Sequence, residues 1–342
     1  MTDINYAFDP VTVPGVDGNS SPEVIREGID TWVSSPPMRA LLERFGATMP
    51  TGTLAERLSA LEAFTAEAWD FRRADEHSLE RNQVNLGRIS DFDTEQLVLA
   101  AATALGFVEP RPPRKTYYDH VVVLGGLVRA NAWRTSYAAH LIESGTIGTS
   151  QVTALTANRP LAANPEDPTR DEHVLLKRLG YDPADYESEV MDQSLRRRFS
   201  VTLESLEADG PEVPVESRRR VARATTTAGF AVTLLVAPPA DPTSGKRADT
   251  ATTYKYWATL EHLTAESNIL VVTSCIYVPY HALVALQNIG VPYGATIETV
   301  GVDYRVIDTS AAPQNFRAVN YTQEVRSTLR ASTTLLNQLP NQ

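Results

Sequence analysis

The sequence predicts an α/β protein with a mainly parallel sheet, preceded by a helical N-terminal region. Three observations carry that prediction. His120-Val-Val-Val-Leu124 is a short apolar, β-branched run, the pattern of a strand buried on both faces. Gly125 and Gly126 follow it at once and lead into a helical pattern, so the order is strand, turn, helix. Beyond that point β-type runs alternate with helical ones, whereas the chain before residue 113 reads as helical.

Residues 1–21, with Pro10, Pro14, Gly15 and Gly18, read as an irregular arm. Ser21-Pro22 opens a helix, with a capping residue and a proline in the first turn, and Pro36-Pro37 breaks it. A short helix is expected over 38–45. Thr53 caps a longer one, in which Leu54, Leu58, Leu61, Phe64, Ala68 and Phe71 recur at helical spacing. Residues 75–90 are charged and read as helix or loop. Residues 93–105 are helical, with Gly106 as the stop. Pro110, Pro112 and Pro113 stiffen a basic link. A boundary near 113 therefore divides a helical region, 1–113, from an α/β domain, 114–342. In that domain strands are expected over 120–124, 151–156, 230–236, 268–273 and 295–300. Helices are expected over about 130–144, 171–180, 250–265, 278–289 and 320–336. Residues 181–220 read as a charged, partly helical insertion.

With 342 residues and 42% hydrophobic content, the chain is large enough for a sizeable core. A formal net charge of −11 argues against a general nucleic-acid surface. A single cysteine leaves no intrachain disulfide and no cysteine zinc cluster. No apolar run approaches the roughly 18–20 residues of a membrane span. The start, Met1-Thr-Asp-Ile-Asn, lacks the features of a signal peptide. The expectation is a soluble, cytoplasmic protein with no membrane partner, and the composition, rich in alanine, threonine and arginine and poor in lysine, suggests a high-GC bacterial source. The oligomeric state stays open.

In an open parallel sheet, ligands bind beyond the carboxyl ends of the strands. The loops there are 125–131, 156–160, 237–254 and 273–281. A helix starting after Gly125-Gly126 aims free amides and the positive end of its dipole at that turn, and Arg129 and Arg134 add charge, so the expected ligand is an anion. Asn158-Arg159 follows the second strand directly. Lys246, Arg247 and Asp249 lie in the third loop, Thr273 and Ser274 in the fourth. Bland alternatives stand beside each. The glycines serve a tight turn, the arginines pair with carboxylates on a helix surface, the 246–249 run is a solvated loop, and Thr273-Ser274 caps a helix. His281 reads equally as structural or catalytic. Cys275 is either a nucleophilic thiolate or, the commoner fate, a small buried hydrophobe. No complete G-x-G-x-x-G or G-x-S-x-G occurs. The histidines, at 77, 120, 140, 173, 262 and 281, form no H-E-x-x-H, so no metal is expected.

The order Val121-Val-Val-Leu-Gly-Gly126, Asp171-Glu172 with Leu179-Gly180, Ala248-Asp-Thr-Ala-Thr-Thr253 and Ile269-Leu-Val-Val-Thr-Ser274, with Tyr277 and His281, resembles the YdcF/SanA/ElyC-like family over about residues 117–300. The resemblance implies a Rossmann-like three-layer sandwich and S-adenosylmethionine as the leading cofactor. By position it gives Gly125 and Gly126 to the glycine-pair turn, Glu172 to an acidic helix residue, Thr250 to a threonine segment, and Thr273 and Ser274 to the last loop.

The expected function is a soluble enzyme holding a nucleotide-like anion at the carboxyl edge of the sheet for group transfer in small-molecule metabolism. Gly125, Gly126, Arg129, Asn158, Arg159, Thr250, Thr273 and Ser274 would bind it, with Glu172, Asp249 and His281 as acid–base groups. The alternatives are a non-catalytic sensor, or a phosphoester or nucleoside hydrolase. Acid–base groups close together in the pocket would favour an enzyme.

Overall fold

The computed structural model describes residues 6–71, 73–74, 77–78, 85–241, 247–309 and 314–340. Four helices open the chain: α1 (Pro22–Val33), α2 (Pro36–Arg44), α3 (Leu54–Ala68) and α4 (Phe92–Ala104). Pro36 does not merely break α1; it is the first residue of α2, where its missing amide proton costs nothing. Thr53 and Glu56 form the capping box of α3, and Asp91 caps α4 through the Thr94 amide. Between α3 and α4 lies a two-residue pairing of β1 (Arg73–Ala74) with β2 (His77–Ser78). Half of the charged 75–90 stretch falls outside the described residues. Trp32 and Trp69 are completely buried and contact Phe107, Phe45 and Phe64 edge-on, in the same core cluster as one face of the sheet.

The sheet begins with β3 (Tyr117–Leu124), followed by α5 (Val128–Glu143), β4 (Gly148–Thr156), α6 (Glu172–Arg178) and α7 (Glu187–Phe199). A hairpin of β5 (Glu204–Ala208) and β6 (Arg220–Thr225) leads to β7 (Ala231–Val236), and α8 (Thr250–Leu260) to β8 (Asn268–Thr273). The helix α9 (Val278–Ala285) runs through a π-turn at Leu286–Gly290 into the short α10 (Val291–Tyr293); β9 (Thr296–Gly301) and α11 (Ala318–Leu336) finish the chain. The seven strands lie in the order β5-β6-β7-β4-β3-β8-β9. Pairing is parallel from β7 to β9 and antiparallel in the β5-β6-β7 hairpin edge.

Helices cover both faces, as the two main core clusters record. Val121 and Val123 of β3, with Leu270 and Val272 of β8, pack with residues of α5 and α7. Val122 and Leu124, with Ile269 and Val271, pack with residues of α1–α4, α8, α9 and α11. The period-two split of a fully apolar strand makes this a three-layer α/β/α sandwich of Rossmann type. The N-terminal arm lies along the β9 edge. Gly18 there has φ +78°, and a Cβ would stand 2.5 Å from the Ile297 carbonyl, so only glycine fits. Among the described residues no helix is long and apolar enough to cross a membrane.

The antiparallel hairpin is the main departure from expectation. Residues 181–220 read as charged and partly helical, and α7 accounts for the helical part. Strand β5 is exposed at every position, so no apolar alternation marks it, and β6 is only partly buried. The expected strand at 230–236 begins at Ala231, and the expected helix 250–265 ends at Leu260.

Candidate functional site

From β3 the chain builds outward to β4 and β7, then crosses back to β8 and β9. The reversal falls between β3 and β8, and a crevice opens beyond their carboxyl ends, where such a switch of direction leaves one. It is a cavity of about 290 Å³. The loops after all five parallel strands reach it: Gly125–Arg129 after β3, Ala157 and Arg159 after β4, Arg247 and Asp249 after β7, Ser274 and Tyr277 after β8, and Tyr304 and Gln314 after β9.

Five arginines line the cavity: Arg129, Arg134, Arg159, Arg170 and Arg247. Three carboxylates accompany them, Glu172, Glu187 and Asp249, with Trp133, Tyr277, Tyr280 and Tyr304 as aromatic wall. Arg134 is buried and already committed. Its Nη1 donates to the carbonyls of Leu124 (2.9 Å) and Gly125 (2.6 Å), its Nε to Ser274 Oγ (3.2 Å), and its guanidinium lies over the Tyr277 ring. It therefore joins the ends of β3 and β8 and fixes the floor of the crevice.

The glycine pair is needed for packing. A Cβ on Gly125 would stand 2.4 Å from Glu187 Oε1 and 2.9 Å from the Leu155 carbonyl; one on Gly126 would stand 2.6 Å from the Ala130 Cβ. The amides of the two glycines are themselves already paired. Gly125 N donates to Leu155 O at 2.7 Å and Gly126 N to Asn131 Oδ1 at 2.9 Å. Charge for an anion comes instead from the arginines and from the start of α5.

Glu172 sits at that start, its Oε2 accepting from Val128 N at 2.8 Å. Burial pushes its carboxyl up to about 7, against the pull of the Val128 amide, Arg159 and Arg129. Glu187 is buried as well. Thr156 Oγ1 donates to its Oε1 at 2.9 Å, and Arg159 Nη1 lies 3.9 Å from its Oε2. Burial raises its pKa too, opposed by Arg159, the Thr156 hydroxyl, Arg247 and Arg134. The site thus combines permanently charged guanidiniums with two carboxyls that burial drives toward neutrality.

The other expected residues divide. Thr250 lines the cavity at the first residue of α8. Asp249 lines it as well, but its carboxylate caps α8, accepting from the amide and hydroxyl of Thr252, both at 2.8 Å. His281 reaches the cavity with Nδ1 2.7 Å from Thr273 Oγ1, its ring inclined to those of Tyr277 and Tyr280. Thr273 is fully buried behind it, off the cavity wall. Asn158 is turned away, its amide nitrogen donating to the carbonyls of Val215 and Arg218 and its oxygen accepting from Ser188, so it anchors the segment leading into β6. Cys275 is buried, its thiol 3.4 Å from the Val302 carbonyl and pushed up to about 12 by desolvation, with Gly301 pressed against the sulfur. Lys246 lies outside the described residues. Glu187, Arg170 and Tyr304 were not singled out from sequence. Arg170 was the most accessible of them, since it lies in the same β4–α6 connection as Arg159.

The family described as the Rv3785 N-terminal domain matches residues 16–106. Across the whole length the chain is similar to proteins of Mycobacterium tuberculosis and Mycobacterium bovis whose names call them uncharacterised. Each is 28% identical over 356 residues, spanning 96% of this chain and 94% of the relative. No solved structure matches. These matches overturn the resemblance to the YdcF/SanA/ElyC-like family, which left the N-terminal region out of account. Its short motifs, an apolar strand ending in glycines and another ending in Thr-Ser, are what many sheet edges of this architecture require.

Proposed function

We propose that the cavity binds a phosphorylated, nucleotide-like small molecule and that the protein is a group-transfer enzyme acting on it, with Glu172 as the acid–base group. One observation supports this above others: guanidiniums converge in the crevice on a buried carboxyl whose pKa is close to 7. Arginine pairs with phosphoryl oxygens in a bidentate fork and stays charged at any physiological pH. A carboxyl near 7 holds or releases a proton with little driving force either way, as proton transfer at a reacting oxygen requires. Trp133 and Tyr304, in edge contact at 5.3 Å, offer an apolar surface for the rest of the ligand.

S-adenosylmethionine was named on the resemblance alone and loses that ground. Its sulfonium is a cation, which guanidiniums oppose. The proposal puts the protein in the cytoplasm, where phosphorylated metabolites are made. A thermal-shift panel of AMP, ADP, ATP, NAD, S-adenosylmethionine and S-adenosylhomocysteine tests it. A ligand at a hundred times its Kd stabilises the fold by about 2.7 kcal/mol. Stabilisation by the phosphorylated members, kept in Glu172→Gln, is expected. Silence from every phosphorylated member overturns the reading, and a shift with S-adenosylmethionine alone redirects it to that cofactor.

A further inference from the structure

The character of the cavity wall changes from one side of the sheet to the other. Beyond β4 and β7 it carries Arg159, Arg170, Glu172, Glu187, Arg247 and Asp249 and, among the described residues, no aromatic ring. Beyond β8 and β9 it carries Tyr277, Tyr280, His281 and Tyr304, with Ser274 and Gln314, and among the described residues no arginine, lysine or carboxylate. The central strand β3 leads into α5, which supplies both kinds, Arg129 and Arg134 on one hand and Trp133 on the other. The two kinds meet there. The Arg129 guanidinium lies 6.0 Å from the centre of the Trp133 ring, and that of Arg134 lies 5.5 Å from the centre of the Tyr277 ring.

The rings also come from both helical layers. Trp133 and Tyr304, in edge contact at 5.3 Å, pack with the core under α5 and α7. Tyr277 and Tyr280 pack with the core on the opposite face of the sheet, under α8, α9 and α11. His281 stands with the second pair, 5.7 Å from Tyr277 and 5.2 Å from Tyr280. Beyond β8 and β9 the crevice therefore has aromatic side chains in both walls, and the polar atoms among them belong to hydroxyls, an amide and an imidazole. A planar heteroaromatic ring suits such a lining, since it gains from aromatic contact and from hydrogen bonds at its rim. We infer that this half of the cavity is a slot for a nucleobase-like ring, that the ligand is a nucleoside phosphate whose phosphorylated end lies beyond β4 and β7, and that Trp133, Tyr280 and Tyr304 determine its specificity. This rests on the proposed phosphorylated ligand and gives it a second end and an orientation. Adjacent strands lie about 4.8 Å apart, so β4 and β8, with β3 between them, set the two halves about 10 Å apart, a distance that a base, a pentose and a phosphate together cover. A cavity of about 290 Å³ stands at the lower edge of pockets that enclose small molecules, about 300 Å³ and above, so it holds one such unit.

Isothermal titration calorimetry of the full-length protein with AMP, GMP, CMP, UMP and the ringless ribose 5-phosphate tests this. Stacking a base on one aromatic side chain is worth roughly tenfold in affinity, so with two aromatic walls at least one nucleotide should bind one-to-one and about a hundredfold tighter than ribose 5-phosphate. Tyr280→Leu and Tyr304→Leu, each checked for an unchanged melting transition, should each narrow that gap about tenfold, while ribose 5-phosphate changes by less than about threefold. Tryptophan emission reads the same slot in the wild-type protein. Trp32, Trp69 and Trp257 are fully buried and off the cavity wall, so Trp133 is the tryptophan that a bound base meets. The tight nucleotide should quench it, ribose 5-phosphate should not, and Trp133→Phe should lose the quench. Equal affinity of the wild-type protein for all five probes overturns the ring slot and leaves the phosphorylated ligand standing. A quench that survives in Trp133→Phe overturns the placement of the ring. A free nucleoside that binds as tightly as its phosphate overturns the phosphorylated end and leaves only the slot. Failure of all five probes to bind removes the phosphorylated ligand and the slot together.

Discussion

The two ends of the parallel sheet use polar side chains in opposite ways. Toward the amino ends of the strands, donors and acceptors cancel locally. Tyr118 donates its hydroxyl to Glu298 Oε2, the Arg114 amide donates to Glu298 Oε1 at 2.8 Å, and the Asn268 amide donates to Asp119 Oδ2 at 2.8 Å. Lys115 closes the set, its ammonium donating to Asn268 and its amide to the Tyr118 oxygen. At the carboxyl ends the polar groups surround a space, and like charges gather on its walls. Glu298 and Glu172 are both buried glutamates, but the first has a donor on each oxygen, the Arg114 amide and the Tyr118 hydroxyl, while the second lines the cavity. A matched buried carboxylate stabilises a fold; one that lines a cavity beside concentrated positive charge is a candidate for the proposed acid–base role.

The sharpest way to break this comparison is through Glu172 and pH. Its folded pKa, about 7, stands above the ordinary 4.5. Between those values the folded protein holds a proton that the unfolded chain has released. The stability associated with the protonated form is therefore complete below about 4.5 and is lost as pH rises through about 7. Glu172→Gln keeps an acceptor for the Val128 amide and never ionises. Relative to the variant, the wild-type protein should lose on the order of 3 kcal/mol between pH 5 and pH 8.5, at about 1.36 kcal/mol per pK unit. Denaturant melts of both proteins at four pH values measure it. Parallel stability curves would remove the raised pKa assigned to Glu172.

Tyr118→Phe probes the other end with a smaller effect. It leaves Glu298 Oε2 and the Lys115 amide without the phenol between them, which should cost about 1–3 kcal/mol at neutral pH. Stabilisation by the phosphorylated nucleotides should stay unchanged, because the phenol stands at the far end of β3 from Gly125. A fall in affinity alongside stability would show the two ends to be coupled, and the division of labour would fail.

How much of this was legible before the structure depended on whether a residue's role is local. The strand–turn–helix at 120–131 was readable because apolar runs, glycine pairs and helix starts are local patterns, and β8 falls at the expected 268–273. Thr53 and Gly106 announced the start of α3 and the stop of α4 for the same reason. The β5–β6 hairpin was not readable, since an edge strand exposed on both faces has no hydrophobic period. Among site residues, position after a strand placed Arg129, Arg159, Thr250 and Ser274 on the wall, yet the same rule put Asn158 there wrongly. Adjacent residues of a loop point in different directions, and Asn158 turns toward Val215 and Arg218. Glu187 was hidden for a different reason. It reaches the cavity from the first residue of α7, across sixty residues of chain from Gly125, and only the fold supplies that proximity.

Cys275 gives the smallest expected effect and sharpens the comparison from inside the carboxyl end. It lies one residue after Ser274, at the edge where chemistry is expected, and yet belongs with the matched groups. Its thiol is buried, directed at the Val302 carbonyl 3.4 Å away, and too weak an acid at about 12 to supply thiolate near neutral pH. Cys275→Ser keeps a donor for that carbonyl in slightly less volume, so it should cost about 1 kcal/mol or less and leave nucleotide binding intact. In the wild-type protein a disulfide reagent such as dithionitrobenzoate should find no thiol until denaturant is added, then one. Rapid labelling of the native protein, with loss of ligand binding, would make Cys275 part of the open site. The carboxyl end of the sheet would then carry a nucleophile that its static packing against Gly301 conceals.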